Sequence, residues 1–261
     1  MDTDPVTRVE SPERPAPGLH VVGTPIGNLR DITARALDTL RGCDVILAED
    51  TRITARLLAR YDIRKPLVSH HKYNEAAHID DVARRIAAGE AVALVTDSGM
   101  PGVSDPGARL VRACRERGLP VTAAPGPSAL ATAIALGGIE SSGFVFGGFL
   151  PHKSGARRRT LARLANAGLP IVLYESPYRL LKLMGEINDT LTAPQVFVGR
   201  ELTKKFEELT HGTPDTIIAA YHHRTVKGEL VVIVSFEGSN PEADLTDPGN
   251  DPETPDEPPP E

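Results

Sequence analysis

Short β-rich runs alternate with helical patterns along this chain, and stiff loops separate them, which leaves few folds open. "LHVVG" at 19–23 reads as a strand, followed by the loop "TPIGNLRD" and the helix "ITARALDTLRGC". "VILAED" at 45–50 precedes a helix from about Arg52 to Arg60. "PLVSH" precedes the helix "EAAHIDDVARRIAAG", whose Ala76, Ile79, Val82, Ala83 and Ile86 share one face. "AVALVT" leads through "TDSGMPGVSDPG" (96–107) into a helix over 106–117 with Leu110, Val111 and Cys114 inward. "PVTAA" then leads into "PSALATAIAL". These strand–helix units in series predict a mostly parallel sheet covered on both faces.

From about Ser142 the pattern changes. "FVFGGF", "PIVLYES", "QVFVGREL", "FEELTHG" and "GELVVIVSF" are strand-like, with helices over "KSGARRRTLARLANAG", "PYRLLKLMGEINDTL" and 214–222. Several of these strands are close in sequence, which predicts a mixed sheet. The expected organisation is two α/β domains, 19–140 and 141–238, with a cleft between them.

The chain has 261 residues and no apolar stretch near the ~20 needed to span a membrane. "MDTDPVTRVESPERPAPG" has no apolar core of the kind a secretion signal requires. Cys43 and Cys114 each fall in an apolar helical pattern, which predicts reduced buried thiols and a cytoplasmic protein. The net charge of −6 conceals an asymmetry: residues 1–18 carry −2 and residues 239–261 carry −8, leaving 19–238 at +4. Both ends are rich in proline and acid, so disorder is expected there. The mildly basic body is compatible with an anionic partner.

"TDSGMPGVSDPG" places two acids where a strand hands over to a helix. Asp105, with Pro106 at the first helical position, is expected to cap that helix. Gly99 and Gly102 are expected to leave backbone amides bare. Asp97 has no evident structural task at the strand's carboxyl end, where open α/β sheets bind ligands. "GTPIGN" (23–28) and "APGPSA" (124–129) are loops of the same kind on the same sheet edge. Three stiff loops make a preformed small-molecule pocket.

Several ligand classes fail on spacing. "GTPIGN" lacks the P-loop lysine, no Gly-x-Gly-x-x-Gly follows the first strand, and Ser128 lacks a nucleophile elbow. The acids repel phosphate but suit a ligand with ammonium and sulfonium charges, such as S-adenosylmethionine. His70, His71 and His78 lack companions at metal-ligand spacing, so no metal is expected. "AEDTR" (48–52) ends a strand with Glu49 and Asp50, one to cap the next helix and the other to face the cleft mouth. "GRELTKKFEELTHG" (199–212) reads either as a solvated hairpin or as a substrate-facing loop with a lysine beside a forming alkoxide. "HKSGARRR" (152–159), continued by Arg163, is either a solvated helix face or a phosphate contact through Lys153, Arg157, Arg158, Arg159 and Arg163.

"GTPIGNLRDIT", "AEDTR", "TDSGMPGVSDPG", "APGPSA", "YESPYR" and "RELTKKFEE" occur in an order that resembles the ribosomal-RNA branch of the tetrapyrrole-methylase-like (class III) S-adenosylmethionine methyltransferases. The resemblance covers about 19–236, with Ser98 where that family usually has alanine. It implies a two-domain α/β homodimer with the cofactor folded into the interdomain cleft. The implied reaction is 2′-O-methylation of a cytidine in the decoding region of 16S rRNA in the small ribosomal subunit. Carried over by motif, the cofactor residues are Thr24, Pro25, Asp97, Ser98, Gly99, Pro101, Gly102, Val103, Ser104, Gly126, Ser128 and Ala129, with Tyr174, Leu202 and Glu229 from the second domain. Asp97, Glu49, Asp50, Glu201 and Lys204 are the candidates for handling the 2′-hydroxyl proton, and the sequence does not choose among them. Few aromatics and no tryptophan argue against base stacking as the main source of RNA affinity. The rival readings are a tetrapyrrole- or diphthine-type methyltransferase and a non-catalytic cofactor-binding scaffold.

Overall fold

The computed structural model of the protein describes residues 14–239. The apolar runs of the first half pair side by side. Strands β1 (Gly18–Val22), β2 (Val45–Ala48), β3 (Leu67–Ser69), β4 (Ala91–Val95) and β5 (Val121–Ala124) form one sheet in the order β3-β2-β4-β1-β5. Its pairings are parallel, β1 lying between β4 and β5. Parallel strands need crossovers, supplied by α1 (Ala34–Gly42), α2 (Thr51–Arg60), α3 (Glu75–Ala87) and α4 (Ala108–Glu116), with α5 (Ala129–Gly137) after β5. Ala36, Leu40, Leu57 and Leu58 of α1 and α2 pack with Val22, Ile46, Ala48, Ala93 and Val95. Val82, Ile86, Leu110 and Cys114 of α3 and α4 pack with the alternate residues Leu19, Val45, Leu47, Val92 and Leu94. The sheet is therefore apolar on both faces, which explains why β4 reads "AVALV" without polar alternation.

The second half forms β6 (Val145–Phe149), β7 (Ile171–Glu175), β8 (Gln195–Arg200), β9 (Glu208–Gly212) and β10 (Leu230–Ser235), ordered β6-β7-β10-β8-β9. β6 runs parallel to β7 and β10 antiparallel to it, so this sheet is mixed. Helices α6 (Ser154–Ala165), α7 (Leu180–Thr190) and α8 (Pro214–Tyr221) bury Leu161, Leu183, Met184, Ile187 and Ile217 against Ile171, Leu173, Val232 and Val234 of the strands.

Two compact units result. The first runs to Leu136 and includes Gly199–Glu208; the second comprises Gly137–Val198 and the chain from Leu209. The sequence reading keeps 199–208 with the second half. The structure moves it because Asn28 donates its N–H to Thr203 Oγ1 at 3.2 Å and the Lys204 side chain lies over Gly27. Most of the expected disordered termini lies outside the described residues. At 14–18 and 239 the expectation fails: Arg14 bonds both Asp44 oxygens at 3.0 and 2.9 Å, Gly18 opens β1, and the Ser239 hydroxyl accepts the Phe236 N–H at 2.7 Å. Both cysteines are free and buried, and burial pushes the Cys43 thiol up to about 11. Among the described residues no helix is long and apolar enough to cross a membrane.

Candidate functional site

The carboxyl ends of β1, β4 and β5 bring the three glycine- and proline-rich loops together. Thr24 and Gly99 exchange main-chain hydrogen bonds at 2.9 and 3.1 Å, and the Gly23 N–H donates to the Ala124 carbonyl at 3.0 Å. The buried Thr24 hydroxyl donates to the Thr96 carbonyl at 3.0 Å. Gly23 and Gly126 approach so closely that a Cβ on Gly23 would lie 2.7 Å from the Gly126 main chain and from Met100 Sδ. Only glycine fits there. The 96–107 loop itself turns on positive φ at Gly99 (80°), Gly102 (84°) and Ser104 (67°). Thr24, Pro25, Asp97–Ser104 (Gly99 and Pro101 buried, Gly102 and Ser104 exposed), Gly126, Ser128 and Ala129 thus share one rim.

Two expectations about this loop are corrected. The amides of Gly99 and Gly102 are not bare: Gly99 donates to Thr24, and Gly102 donates to the Pro106 carbonyl at 3.0 Å. Val103 likewise donates to Met100 at 3.3 Å. Asp105 is not the cap of the following helix, because α4 starts at Ala108 after a Gly107 whose φ is 123°. Glu75 does that work from α3, its Oε1 accepting the Gly107 and Leu110 N–H groups at 3.1 and 3.4 Å. A carboxylate at a helix N-terminus is favourably placed. Glu75 is buried while its neighbour Ala76, expected on the inner face of α3, is exposed. The fully buried His70 ring stands 3.9 Å from Glu75, and burial lowers its pKa. No sequence signal identifies this cap, since its partners lie over thirty residues away.

The acids at the strand ends sort by environment. Asp97 has a structural task after all: Oδ1 accepts the Asp50 N–H at 3.0 Å, and its own N–H donates to Glu49 Oε2 at 3.3 Å. Asp50 caps α2, accepting the Arg52 N–H at 2.8 Å and pairing with its guanidinium, which holds the carboxyl far below the usual range. Glu49 is therefore the residue of "AEDTR" not used as a cap. Desolvation by burial raises both Glu49 and Asp97 above ordinary carboxylates. At the same strand end the buried Thr96 hydroxyl has no hydrogen-bond partner.

The 199–208 segment is a tightly bonded loop. Glu201 and Thr203 take φ values of 51° and 67°, and the Thr203 N–H donates to Glu207 Oε2 at 2.6 Å. Lys204 Nζ donates to Glu201 Oε1 at 2.8 Å, and Arg200 pairs with Glu208 at 2.8 Å. Leu202 is buried and, like Lys204, belongs to the first unit. A Cβ on Gly27 would fall 2.4 Å from Lys204 Cγ, so the "GTPIGN" glycine makes room for the lysine.

In the second unit, Tyr174 is half-buried on β7 and the exposed Glu229 precedes β10. Of the basic residues, Arg157 is withdrawn from any phosphate surface. It is 1 % exposed and bonds both oxygens of the buried Glu186, which also takes the Ser154 hydroxyl. Its remaining donors go to the Pro151 and His152 carbonyls at 3.2 and 3.1 Å. Arg158 is exposed but pairs with Asp189 at 2.7 Å, whereas Lys153, Arg159 and Arg163 lie on the surface. Its i-to-i+1 position in "ARRR" could not mark Arg157 as buried, because Glu186 lies on another helix.

Comparison with known proteins places this geometry in a family. Tetrapyrrole (corrin/porphyrin) methylases match residues 18–218. The ribosomal RNA small subunit methyltransferase I of Thermotoga maritima is 45 % identical over 217 residues, covering 83 % of this chain and 97 % of its own. Among solved structures, diphthine synthase superposes with a TM-score of 0.63 at 12 % identity, covering 83 % of this chain and 89 % of its own. The uroporphyrin-III C-methyltransferase of Thermus thermophilus complexed with S-adenosylhomocysteine gives 0.57 at 19 % identity, covering 83 % and 96 %. At those identities the likeness is one of fold. The chain belongs to the tetrapyrrole methylase family and, within it, groups with the ribosomal RNA small subunit methyltransferase I relatives.

Proposed function

We propose that this protein is an S-adenosylmethionine-dependent methyltransferase that modifies ribosomal RNA, its acceptor the 2′-hydroxyl of a cytidine in the decoding region of the 16S molecule. The observation that carries the reading is the interlocked rim at the carboxyl ends of β1, β4 and β5, in a chain 45 % identical to a ribosomal RNA methyltransferase. The rim suits a cationic ligand: two desolvated carboxylates, an unpartnered buried Thr96 hydroxyl and glycines whose Cβ positions are filled by main chain. Thr24, Pro25, Asp97–Ser104, Gly126, Ser128 and Ala129 are the residues to hold it, joined by Leu202. Bound there, S-adenosylmethionine supplies a methyl carbon activated by its sulfonium.

The chain's own contribution is alignment of the acceptor oxygen and handling of one proton. Glu49 and Asp97, raised by burial, are the carboxylates suited to take that proton. Asp50 is not suited, being committed to Arg52 and to the start of α2. Lys204, held by Glu201, supplies positive charge for an oxygen becoming an alkoxide. We further propose that the protein acts as a cytoplasmic homodimer on the assembled small subunit, where RNA shape assists recognition. Free buried thiols are in keeping with a reducing compartment.

The test is transfer of labelled methyl groups from S-adenosylmethionine to small subunits and to free 16S rRNA from cells lacking the protein. The expected result is label on a single ribose 2′ position, lost in Lys204→Ala. Label on a tetrapyrrole or a protein histidine instead, or cofactor binding without any transfer, overturns the reading.

A further inference from the structure

Helix α2 carries an arginine at every fourth place. Arg52, Arg56 and Arg60 follow one another at i, i+4 and i+8, while Thr54, Leu57 and Leu58 take the buried side. Four residues advance a helix by about 6 Å and turn it by only about 40°, so the three side chains leave one exposed face in a row. Local rules disfavour such a row. Like charges four residues apart repel, a cation in the first turn opposes the helix dipole, and "TRITARLLAR" contains no acid to offset either. On α3 and at the end of α4, by contrast, Arg84 and Arg85 both reach Asp81 at 3.1 Å, and Arg117 reaches Asp80 at 2.6 Å. Of the α2 arginines only Arg52 has a carboxylate partner among the described residues, the capping Asp50. Arg56 donates to the Arg52 carbonyl at 3.4 Å, and the Arg60 guanidinium stands 5.9 Å from the Tyr61 ring centre, so both keep an unneutralised charge.

The row starts at the rim. The Asp50 N–H donates to Asp97, and the Asp50 carboxylate holds both the N–H and the guanidinium of Arg52, which fixes Arg52 at the strand ends that carry Glu49 and Asp97. At the far end of the helix the Tyr61 hydroxyl donates to the Leu29 carbonyl, in the loop that continues "GTPIGN". Both ends of α2 are thus tied to segments that build the rim. A fixed row of evenly spaced cations suits a row of evenly spaced anions, and successive phosphates on one nucleic-acid strand are that, each matched by the fork of a guanidinium. The methyl donor does not fit, because it has no phosphate and carries a sulfonium charge that the row repels. The basic run 152–159 of the second unit offers less, since Glu186 takes Arg157 and Asp189 takes Arg158.

We propose that Arg52, Arg56 and Arg60 form a track for the sugar–phosphate backbone of the RNA substrate, leading the strand to the rim; this rests on the RNA-methylating function proposed above. The test uses the double variant Arg56→Gln with Arg60→Gln, which leaves the Arg52–Asp50 pair intact. In methyl transfer to small subunits, KM for the subunit is expected to rise about tenfold, with KM for S-adenosylmethionine unaltered. In binding to a short single-stranded RNA of the decoding-region sequence, the slope of log K against log salt is expected to shrink by about 0.7 for each arginine removed. Arg56→Lys with Arg60→Lys keeps the charge and is expected to keep that slope. The melting temperature of the glutamine variant is expected to hold or rise, because repulsion along α2 is relieved. An unchanged KM for subunits, an unchanged salt slope, a lower melting temperature or weaker S-adenosylmethionine binding in that variant each overturns the proposal. So does poly-glutamate that competes for the wild-type protein as well as RNA of equal charge. If the wild-type protein transfers no methyl group to ribosomal RNA, the proposed function falls, and the salt slope with RNA still decides whether this row meets phosphates.

Discussion

Two regions of this protein are rich in sequence signals, and they are built on different principles. The rim of the first sheet is held by main-chain groups: Thr24 with Gly99, Gly23 with Ala124, and a glycine–glycine contact between positions 23 and 126. The start of α6 in the second unit is held by side-chain charge, with Arg157 fully buried against Glu186 and reaching back to two carbonyls. Main-chain architecture announces itself through glycine and proline, whose local preferences survive any tertiary context. Ionic architecture does not, because a buried arginine and a solvated one look alike until the partner is known.

The contrast predicts a ranking. Arg157→Ala is expected to cost about 3–5 kcal/mol in chemical denaturation, since it strands the Glu186 carboxylate without its partner. Replacing both members, Arg157→Met with Glu186→Leu, should recover most of that loss. A loss below about 1 kcal/mol for the single variant would show that the pair is solvated and dissolve the comparison. Glu75→Ala is next, at about 2 kcal/mol, because two amides at the start of α4 lose a charged acceptor in a buried setting. Here a carboxylate supports the otherwise main-chain rim, so a negligible effect would make that rim self-sufficient.

Gly23→Ala sharpens the other side of the comparison. Its Cβ meets Gly126 main chain, so the rim must open, and calorimetry is expected to show S-adenosylmethionine bound at least about tenfold more weakly. The smallest effect belongs to Glu49. Burial raises its folded pKa above the unfolded value, so its ionised form costs stability above the folded pKa, and the cost disappears as pH falls below the unfolded value. Glu49→Gln should therefore raise the melting temperature near pH 7 and leave it unchanged near pH 4, as a thermal melt at each pH will show.

The parallel order of the first sheet was legible from strand–helix alternation, and the meeting of its three loops from their shared place after strands. What sequence did not disclose were partners distant along the chain. Asp105 and Pro106 form a good local capping signal, yet Glu75 takes the position because α3 lies beside α4 and offers a buried carboxylate. Asp97 looked idle because its acceptor role is toward the amide of Asp50 on a neighbouring strand end. The amides of Gly99 and Gly102 were expected to be bare, whereas the turns made at these positive-φ residues close hydrogen bonds onto Thr24 and Pro106. The bulge in β6, whose register with β7 skips Gly147, hides in "GGF", where period-two counting has no way to register an extra residue.

The assignment of Gly199–Glu208 to the first unit has a consequence for biosynthesis. On the ribosome, that unit stays unfinished after its sheet has emerged, and Gly27 lacks its lysine until Lys204 has been made. A nascent chain released any earlier carries a complete set of five parallel strands without Lys204, so premature termination yields a product lacking the charge proposed to act on the acceptor oxygen.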